Sequence, residues 1–175
     1  VAKSGLNSLY LIGRYAEYTA RGAIECGMPQ NRIFINTDEM SYIKTFEQIK
    51  EELIYCYKQG SRFVDFEGGE PFIWEDGEKR IDDLIDLAKS IGFYSCTITT
   101  NAQRPFINSR ADSIWVSLDG VGEYHERIRG KGAFAKLEQN ISTCNHKALS
   151  VNMAINTLNY ESVAKTIEYA KNSPY

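Results

Sequence analysis

The sequence predicts an α/β fold in which about six parallel strands alternate with helices, as a partial barrel or an open sheet. Short apolar runs recur along the 175 residues, amphipathic segments separate them, and glycines stand where several of these segments end. Strands that alternate with helices in this way pair in parallel through right-handed crossovers. Hydrophobic periodicity does not separate a partial barrel from an open sheet, but ligands bind at the carboxyl ends of the strands in both.

The short apolar runs are predicted to be strands, because each is shorter than an ordinary helix and rich in aliphatic or aromatic residues. In chain order they are Ser8 to Ile12, Arg32 to Ile35, Arg62 to Phe66, Tyr94 to Thr99, Ser113 to Leu118 and Leu149 to Ile155. Phe66 and Trp115 lie within two of these runs, and we expect both side chains in the core.

The segments between the strands place apolar residues three and four positions apart, which is typical of helices with one buried face. Gly27, Gly60 and Gly92 follow three of them, in the position where glycine commonly ends a helix. The predicted helices run from Tyr15 to Cys26, from an N-cap at Thr37 or Asp38 to Gln59, from Arg80 to Ser90, around Phe134, Leu137 and Ile141, and from about Glu161 to Lys171. Pro105 lies in a segment too short for a further helix.

Composition favours one cytoplasmic α/β domain over residues 1–175. The net charge of −3 argues against a nucleic-acid surface, and no apolar run approaches the roughly 20 residues of a membrane span. The first residues show no secretory signal and no initiator Met, which fits a fragment or a processed chain. Four cysteines lie at least 30 positions apart, so we expect reduced thiols and no metal site. An exposed sheet edge would favour a homodimer.

Polar side chains and glycines follow the predicted strands, at the edge where ligands bind in this fold class. Glu67-Gly68-Gly69-Glu70-Pro71 follows the third strand, Asn101 follows the fourth, and Ser117 and Asp119 close the fifth. Paired glycines let the backbone approach a ligand, and the polar groups suit an amino group or ribose hydroxyls. Turn chemistry explains any one of these features alone. Together they favour a small-molecule site.

Four segments together resemble the radical S-adenosylmethionine superfamily over about residues 45–173: FEGGEPF (66–72), TTNA (99–102), VSLDG (116–120) and HERIRGKGAF (125–134). The resemblance implies a partial TIM-like barrel, S-adenosylmethionine as ligand and a [4Fe–4S] cluster. It places the methionyl amino group at Gly68, Gly69 and Glu70, next to Pro71. It also implies contacts to ribose and carboxylate from Asn101, Ser117 and Asp119, and a cofactor-contacting basic residue at Arg129.

The chain departs from that family at the cluster. The family's C-x3-C-x2-C motif belongs in the loop before the helix that leads to Gly68, but the loop from Asn36 to Ile43 contains no cysteine. If Cys26 were the third ligand, Thr19 and Ala23 would stand in the other two positions. Three thiolates hold the cluster in the family, and one cannot replace them. We therefore expect the domain to be inactive as it stands. If it is an active enzyme, the resemblance implies the radical S-adenosylmethionine class.

The segment from Ser8 to Asn36 instead resembles the C-terminal domain of Mur ligases, which implies a β-α-β unit over about residues 1–40. No GKT or GKS phosphate loop accompanies it. Together, the two resemblances imply that the chain is a hybrid of a Mur-ligase-like unit and a radical-enzyme core. Three hypotheses follow: a radical-enzyme-derived domain that keeps its S-adenosylmethionine pocket, a chimeric or fragment scaffold without native activity, and an amino-acid-binding module in the manner of the Mur ligases.

Overall fold

The structure is a computed structural model that describes residues 9–12, 16–36 and 43–173. The chain divides into two compact units, Val1–Thr45 and Phe46–Tyr175. That residues 1–175 form a single domain stays a prediction.

The first unit contains one β-α-β motif, as the sequence predicts. Its elements are β1 (Leu9–Ile12), α1 (Ala16–Glu25) and β2 (Ile33–Asn36), and the two strands are parallel with Leu9 opposite Ile33. Ala20 and Ala23 form the buried side of α1, and Met28 is buried just beyond it. Gly27 ends the helix with a positive φ of 93°, a conformation that glycine adopts without a steric penalty.

The second unit is built on a four-stranded parallel sheet with the order β3-β6-β7-β8. Its elements in chain order are α2 (Phe46–Lys58), β3 (Phe63–Phe66), β4 (Glu75–Asp76), β5 (Lys79–Arg80), α3 (Ile81–Ile91), β6 (Ser95–Thr100), β7 (Ser113–Ser117), α4 (Glu123–Arg129), α5 (Ala133–Ser142), β8 (Leu149–Asn152) and α6 (Val163–Lys171). The predicted α/β class with parallel strands and flanking helices is confirmed. The six predicted strands are all present, divided between a sheet of two and a sheet of four.

Helix α3 shows how the local sequence sets an element. Buried residues at Ile81, Leu84, Ile85 and Ala88 follow the helical period, so one face packs into the core. The backbone N–H of the preceding Arg80 donates to the Asp83 carboxylate at 2.8 Å, which anchors the first turn. Gly92 ends the helix in the left-handed conformation, as predicted.

Helix α2 begins later than the sequence predicts. Residues 43–45 are not helical, the helix starts at Phe46, and Ile43 is exposed rather than part of a buried helical face. The predicted N-caps, Thr37 and Asp38, lie outside the described residues. A distant group satisfies the helix end instead, because the N–H of Phe46 donates to the Asp76 carboxylate at 2.8 Å. Asp76 belongs to the short antiparallel hairpin β4–β5, which the sequence analysis also missed.

The core covers one face of the four-stranded sheet. Its central side chains include Ile98 and Val116 from the strands, Leu84 from α3 and Leu137 from α5. The opposite face carries Thr97, Thr99, Ser113, Trp115, Ser117, Ser150 and Asn152, none of which is buried. The prediction that Trp115 lies in the core is therefore wrong, since 41% of its surface is exposed. Phe66 packs against the core as predicted.

The connections add one helix that the sequence analysis did not predict, since α4 precedes α5 after β7. Gln103 to Arg110 contains no helix, as expected. Among the described residues, no helix is long and apolar enough to span a membrane.

Candidate functional site

The parallel strands bring the predicted site residues to one edge of the four-stranded sheet. Thr100 is paired with Val116 at the ends of β6 and β7, so Asn101 and Ser117 each follow a paired residue on adjacent strands. Ser117 is itself paired with Asn152 on β8. Adjacent strands lie about 4.8 Å apart, which places these polar residues side by side. We call this the carboxyl rim of the sheet, comprising the ends of β3, β6, β7 and β8 and the loops that follow them.

Gly68 and Gly69 form the part of the rim that follows β3. Both have positive φ, 89° and 56°, and a Cβ atom added at either would meet no atom within 4 Å. Within the part of the chain that the structure describes, no protein group bonds to the N–H or C=O of either glycine. Their backbone is therefore open to a ligand.

Glu70 is buried behind the two glycines, with 8% of its surface exposed. Its carboxylate accepts hydrogen bonds from the N–H of Phe72 at 3.1 Å and from the N–H of Asn101 at 2.8 Å. It also accepts from the hydroxyl of Thr100, 2.8 and 2.9 Å from its two oxygens. These donors occupy most of the carboxylate's hydrogen-bonding capacity. Pro71 is buried and begins a short 3-10 turn, so its ring contributes to the loop rather than to the open rim.

Asn101 and Ser117 each carry a side-chain polar group without a protein partner among the described residues. The Asn101 side-chain oxygen Oδ1 accepts from the backbone N–H of Gln103 at 2.9 Å, which holds the loop after β6. No group in the described ranges bonds to the Asn101 Nδ2 amide or to the Ser117 hydroxyl, and both residues are half-buried. One amide donor and one hydroxyl thus stand on adjacent strand ends without a protein partner.

Asp119 and Arg129, both predicted to contact a ligand, contact each other. The Arg129 Nε donates to Asp119 Oδ2 at 2.6 Å, and the other carboxylate oxygen accepts from the N–H of Ala154 at 3.1 Å. Asp119 is only 1% exposed. Its carboxylate oxygens are thus both bonded to protein groups. The Arg129 side chain is 35% exposed, and no hydrogen bond within the described residues involves its terminal nitrogens.

His125 lies beneath the same loop and was not identified from the sequence as a site residue. Its Nδ1 accepts a hydrogen bond from the N–H of Asp119 at 3.1 Å, so a neutral ring carries its proton on Nε2. The Nε2 atom is buried and has no partner among the described residues. Burial lowers the pKa of His125 and outweighs the nearby Asp119 carboxylate, which acts in the opposite direction. The net effect favours the neutral imidazole.

Asn140 and Asn159 are further residues that the sequence analysis missed. Asn140 on α5 donates to the carbonyl of Ala102 at 2.8 Å, next to Asn101. Asn159 donates to the carbonyl of Asp119 at 2.9 Å. Both side chains are buried, and no local pattern identified them, because their partners lie 38 and 40 positions away.

The profile of the Radical SAM superfamily matches residues 25–170, which is most of the chain. The chain belongs to the radical SAM superfamily. The match covers the Gly68–Gly69 loop, both free polar groups and the Asp119–Arg129 pair. The predicted resemblance to this family is therefore confirmed, and the family as a whole uses S-adenosylmethionine and a [4Fe–4S] cluster.

One curated relative shares a shorter stretch with this radical SAM chain. The siroheme synthase of Stutzerimonas stutzeri (strain A1501) is 32% identical over 59 residues, which are 34% of this chain and 13% of that protein. The chain thus spans about an eighth of that relative's length. The resemblance of Ser8 to Asn36 to the Mur ligases, and the hybrid origin that it implies, stay predictions.

The residues of this radical SAM chain do not fit the family's cluster. All four cysteines are free: Cys26 and Cys56 are exposed, Cys96 is buried and Cys144 is half-buried. Across the described ranges, no group of three or more His, Cys, Asp or Glu side chains is placed to hold a metal ion. Residues 37–42, which lie outside the described ranges, contain no cysteine either. The ligand set that the family uses for its cluster is therefore missing from this chain.

Proposed function

We propose that this chain binds S-adenosylmethionine at the carboxyl rim and does not generate a radical by itself. The observation that carries the proposal is the open backbone of Gly68 and Gly69 on the same rim as two free polar side chains, Asn101 and Ser117. The membership in the radical SAM superfamily supports this choice of ligand.

The chemistry of the free groups matches the parts of this ligand. The carbonyls of Gly68 and Gly69 accept hydrogen bonds and suit the methionyl ammonium group. The Asn101 amide donates, and the Ser117 hydroxyl donates or accepts, which suits a carboxylate or ribose hydroxyls. The terminal nitrogens of Arg129 add a fixed positive charge at the same loop, whose orientation the bond to Asp119 maintains.

This proposal assigns Glu70 and Asp119 to the support of the rim rather than to ligand contact. Protein donors already bond to the Glu70 carboxylate and to both carboxylate oxygens of Asp119. A ligand ammonium would have to compete with these bonds, whereas the glycine carbonyls are open. The absence of the cluster's cysteines supports a binding role, because reductive cleavage of the cofactor requires the cluster.

Calorimetric titration with S-adenosylmethionine tests the proposal, and methionine and adenosine titrated separately identify which part is recognised. We expect binding of the whole ligand that Ser117→Ala weakens about two- to tenfold, the loss of one hydrogen bond. Ser113→Ala is the matched control, since Ser113 lies on the same strand and face but at the amino end, bonded to Thr97.

Three results would contradict the proposal in different ways. No heat at high micromolar ligand would favour a scaffold without native activity. Binding of a free amino acid that is as tight as binding of S-adenosylmethionine would favour a module in the manner of the Mur ligases. Equal affinities for Ser117→Ala and Ser113→Ala would show that the rim is not the site.

A further inference from the structure

Most of the buried polar side chains in the described part of the chain gather around the carboxyl rim. They include Glu70, Thr100, Asp119, His125, Asn140, Asn159 and Ser162. Burying a polar group costs free energy unless a partner compensates for the lost water, and an apolar residue of similar size commonly gives equal stability. A hydrogen-bonded network instead fixes one geometry, and here the buried side-chain atom without a partner among the described residues is His125 Nε2. Stability of the fold therefore does not explain why these buried polar side chains gather at the rim.

The backbone and side chain of Asp119 form one centre of this network. Its N–H donates to His125 Nδ1, and its carboxylate accepts from Arg129 Nε and from the N–H of Ala154. Its carbonyl accepts from Asn159 Nδ2 at 2.9 Å. Each hydrogen-bonding group of Asp119 therefore has a partner, and these partners come from helix α4 and from the loop after β8.

Asn159 forms the second centre and is 0% exposed. Besides Asp119, its Nδ2 group donates to the carbonyl of Ala154 at 3.0 Å, and its Oδ1 accepts from the N–H of Asn156 at 2.7 Å. One side chain thus holds two backbone groups of the loop after β8 and one of the loop after β7.

These bonds begin where the pairing of the two strands stops. The last backbone bond between β7 and β8 runs from the N–H of Leu118 to the carbonyl of Asn152 at 2.9 Å. Directly beyond it, the Asp119 carboxylate bonds to Ala154, and Asn159 bonds back to Asp119. The side chains continue a connection that the backbones no longer make.

We propose that Asp119 and Asn159 are positioning residues that fix the loop of residues 154–156 beside the end of β7, and that Asp119 does not touch the ligand. The inference rests on the proposed function, since the fixed loop follows Asn152, the residue paired with Ser117. A rim fixed before binding loses less conformational entropy when the ligand arrives. Removing Asn159 then weakens ligand binding although Asn159 contacts no ligand.

The first test needs no ligand and measures amide hydrogen exchange in the whole chain. We expect slow exchange at Ala154 and Asn156 in the wild type and fast exchange at Asn156 in Asn159→Ala, with helix α6 unchanged. Asp119→Asn keeps an oxygen that accepts from Ala154, so exchange at Ala154 should stay slower in Asp119→Asn than in Asp119→Ala. Unprotected amides at both positions in the wild type would overturn the inference.

The second test compares affinity for S-adenosylmethionine at a temperature where every variant is folded. We expect Asn159→Ala to weaken binding about tenfold. Thr166→Val is the matched control, because Thr166 is also buried, with 3% of its surface exposed, and the substitution removes one bond, from its hydroxyl to the Ser162 carbonyl at 2.8 Å. Thr166→Val should lower the unfolding midpoint without changing affinity.

The outcomes separate this inference from the proposed function. If Asn159→Ala binds as tightly as the wild type, or if Thr166→Val loses as much affinity, Asn159 has a structural role only and the inference is wrong. If the wild type protects these amides but binds no S-adenosylmethionine, the proposed function fails while the connection between the loops stands.

Discussion

The hydroxyl of Thr100 lies 2.8 and 2.9 Å from the two carboxylate oxygens of Glu70, although 30 positions of sequence separate the residues. The same carboxylate accepts from the N–H of Asn101. Glu70 therefore connects the loop after β3 to the end of β6. The neighbouring Gly68 and Gly69 expose their backbone from a loop whose base is held by buried hydrogen bonds.

Thr100→Val should destabilise the chain, because it removes a donor to the buried Glu70 carboxylate while keeping the shape of the side chain. The Thr100 hydroxyl also accepts from the N–H of Ala102 at 3.0 Å, so the substitution leaves two groups without this partner. We expect a loss of about 1–3 kcal/mol in the free energy of unfolding, measured by urea denaturation.

Thr97→Val is the control for this prediction, on the same strand. Thr97 is half-buried and its hydroxyl lies 3.2 Å from that of Ser113, a neutral pair next to solvent. We expect a smaller loss, since water replaces the missing partner there. Equal losses at positions 97 and 100 would show that the Glu70 carboxylate gains little from Thr100.

Much of the fold could be predicted from the sequence, because hydrophobic periodicity is a local signal. Helix α3 follows the period of Ile81, Leu84, Ile85 and Ala88, and the chain forms that helix within a residue of the predicted bounds. The start of α2 could not be predicted in this way, since its first N–H bonds to Asp76, 30 positions away. Trp115 was misplaced because an alternating strand does not reveal which of its faces another layer covers.

The candidate site, like the fold, could be predicted from the sequence only in part. The topology of parallel strands predicted that Gly68, Gly69, Asn101 and Ser117 would share an edge, and they do. The partners of Asp119 could not be predicted, because Ala154 and Asn159 lie 35 and 40 positions further along the chain. A polar residue after a strand looks the same in sequence whether it faces a ligand or bonds to a neighbouring loop.

Gly120→Ala should destabilise the chain strongly. Gly120 has a φ of +146°, and a Cβ atom there would lie 2.6 Å from Tyr124 Cβ, 3.0 Å from Ser162 Oγ and 3.2 Å from the backbone nitrogen of His125. Overpacking and backbone strain together should cost about 2–4 kcal/mol. Thermal and urea unfolding measure the loss.

Gly130→Ala isolates the backbone contribution to that loss. Gly130 also has a positive φ, 99°, but an added Cβ would meet nothing within 4 Å. We expect a loss of about 1–2 kcal/mol from strain alone. If Gly130→Ala lost as much as Gly120→Ala, the close approach of the loop after β7 to Tyr124 and Ser162 would contribute nothing.

Acid should destabilise the chain through His125. Burial lowers its pKa below the ordinary value of 6.5, so the folded state stays neutral at a pH where the unfolded state takes up a proton. Stability is therefore complete above pH 6.5 and falls as the pH drops below that value, until the folded state is protonated too. The loss in this window is at most about 1.4 kcal/mol per pH unit from this group.

Two histidine variants test whether His125 causes the loss of stability in acid. His125→Asn keeps an oxygen able to accept from the N–H of Asp119 but cannot titrate, so its unfolding free energy should fall less between pH 7 and pH 5. His146→Asn removes the other histidine of the chain and should keep the full loss. Identical pH profiles for His125→Asn and the wild type would contradict the assignment.

Anaerobic reconstitution with iron and sulfide should fail to build a cluster on this chain. A [4Fe–4S] cluster holds four irons, and we expect far less iron per chain after desalting. Traces should bind to Cys26 and Cys56, because their thiols are exposed, and should disappear in the variant that carries Cys26→Ser and Cys56→Ser. Retention of about four irons with thiolate-to-iron absorbance would contradict the prediction. Such a result would require ligands other than a C-x3-C-x2-C loop, because residues 27–55 contain no cysteine.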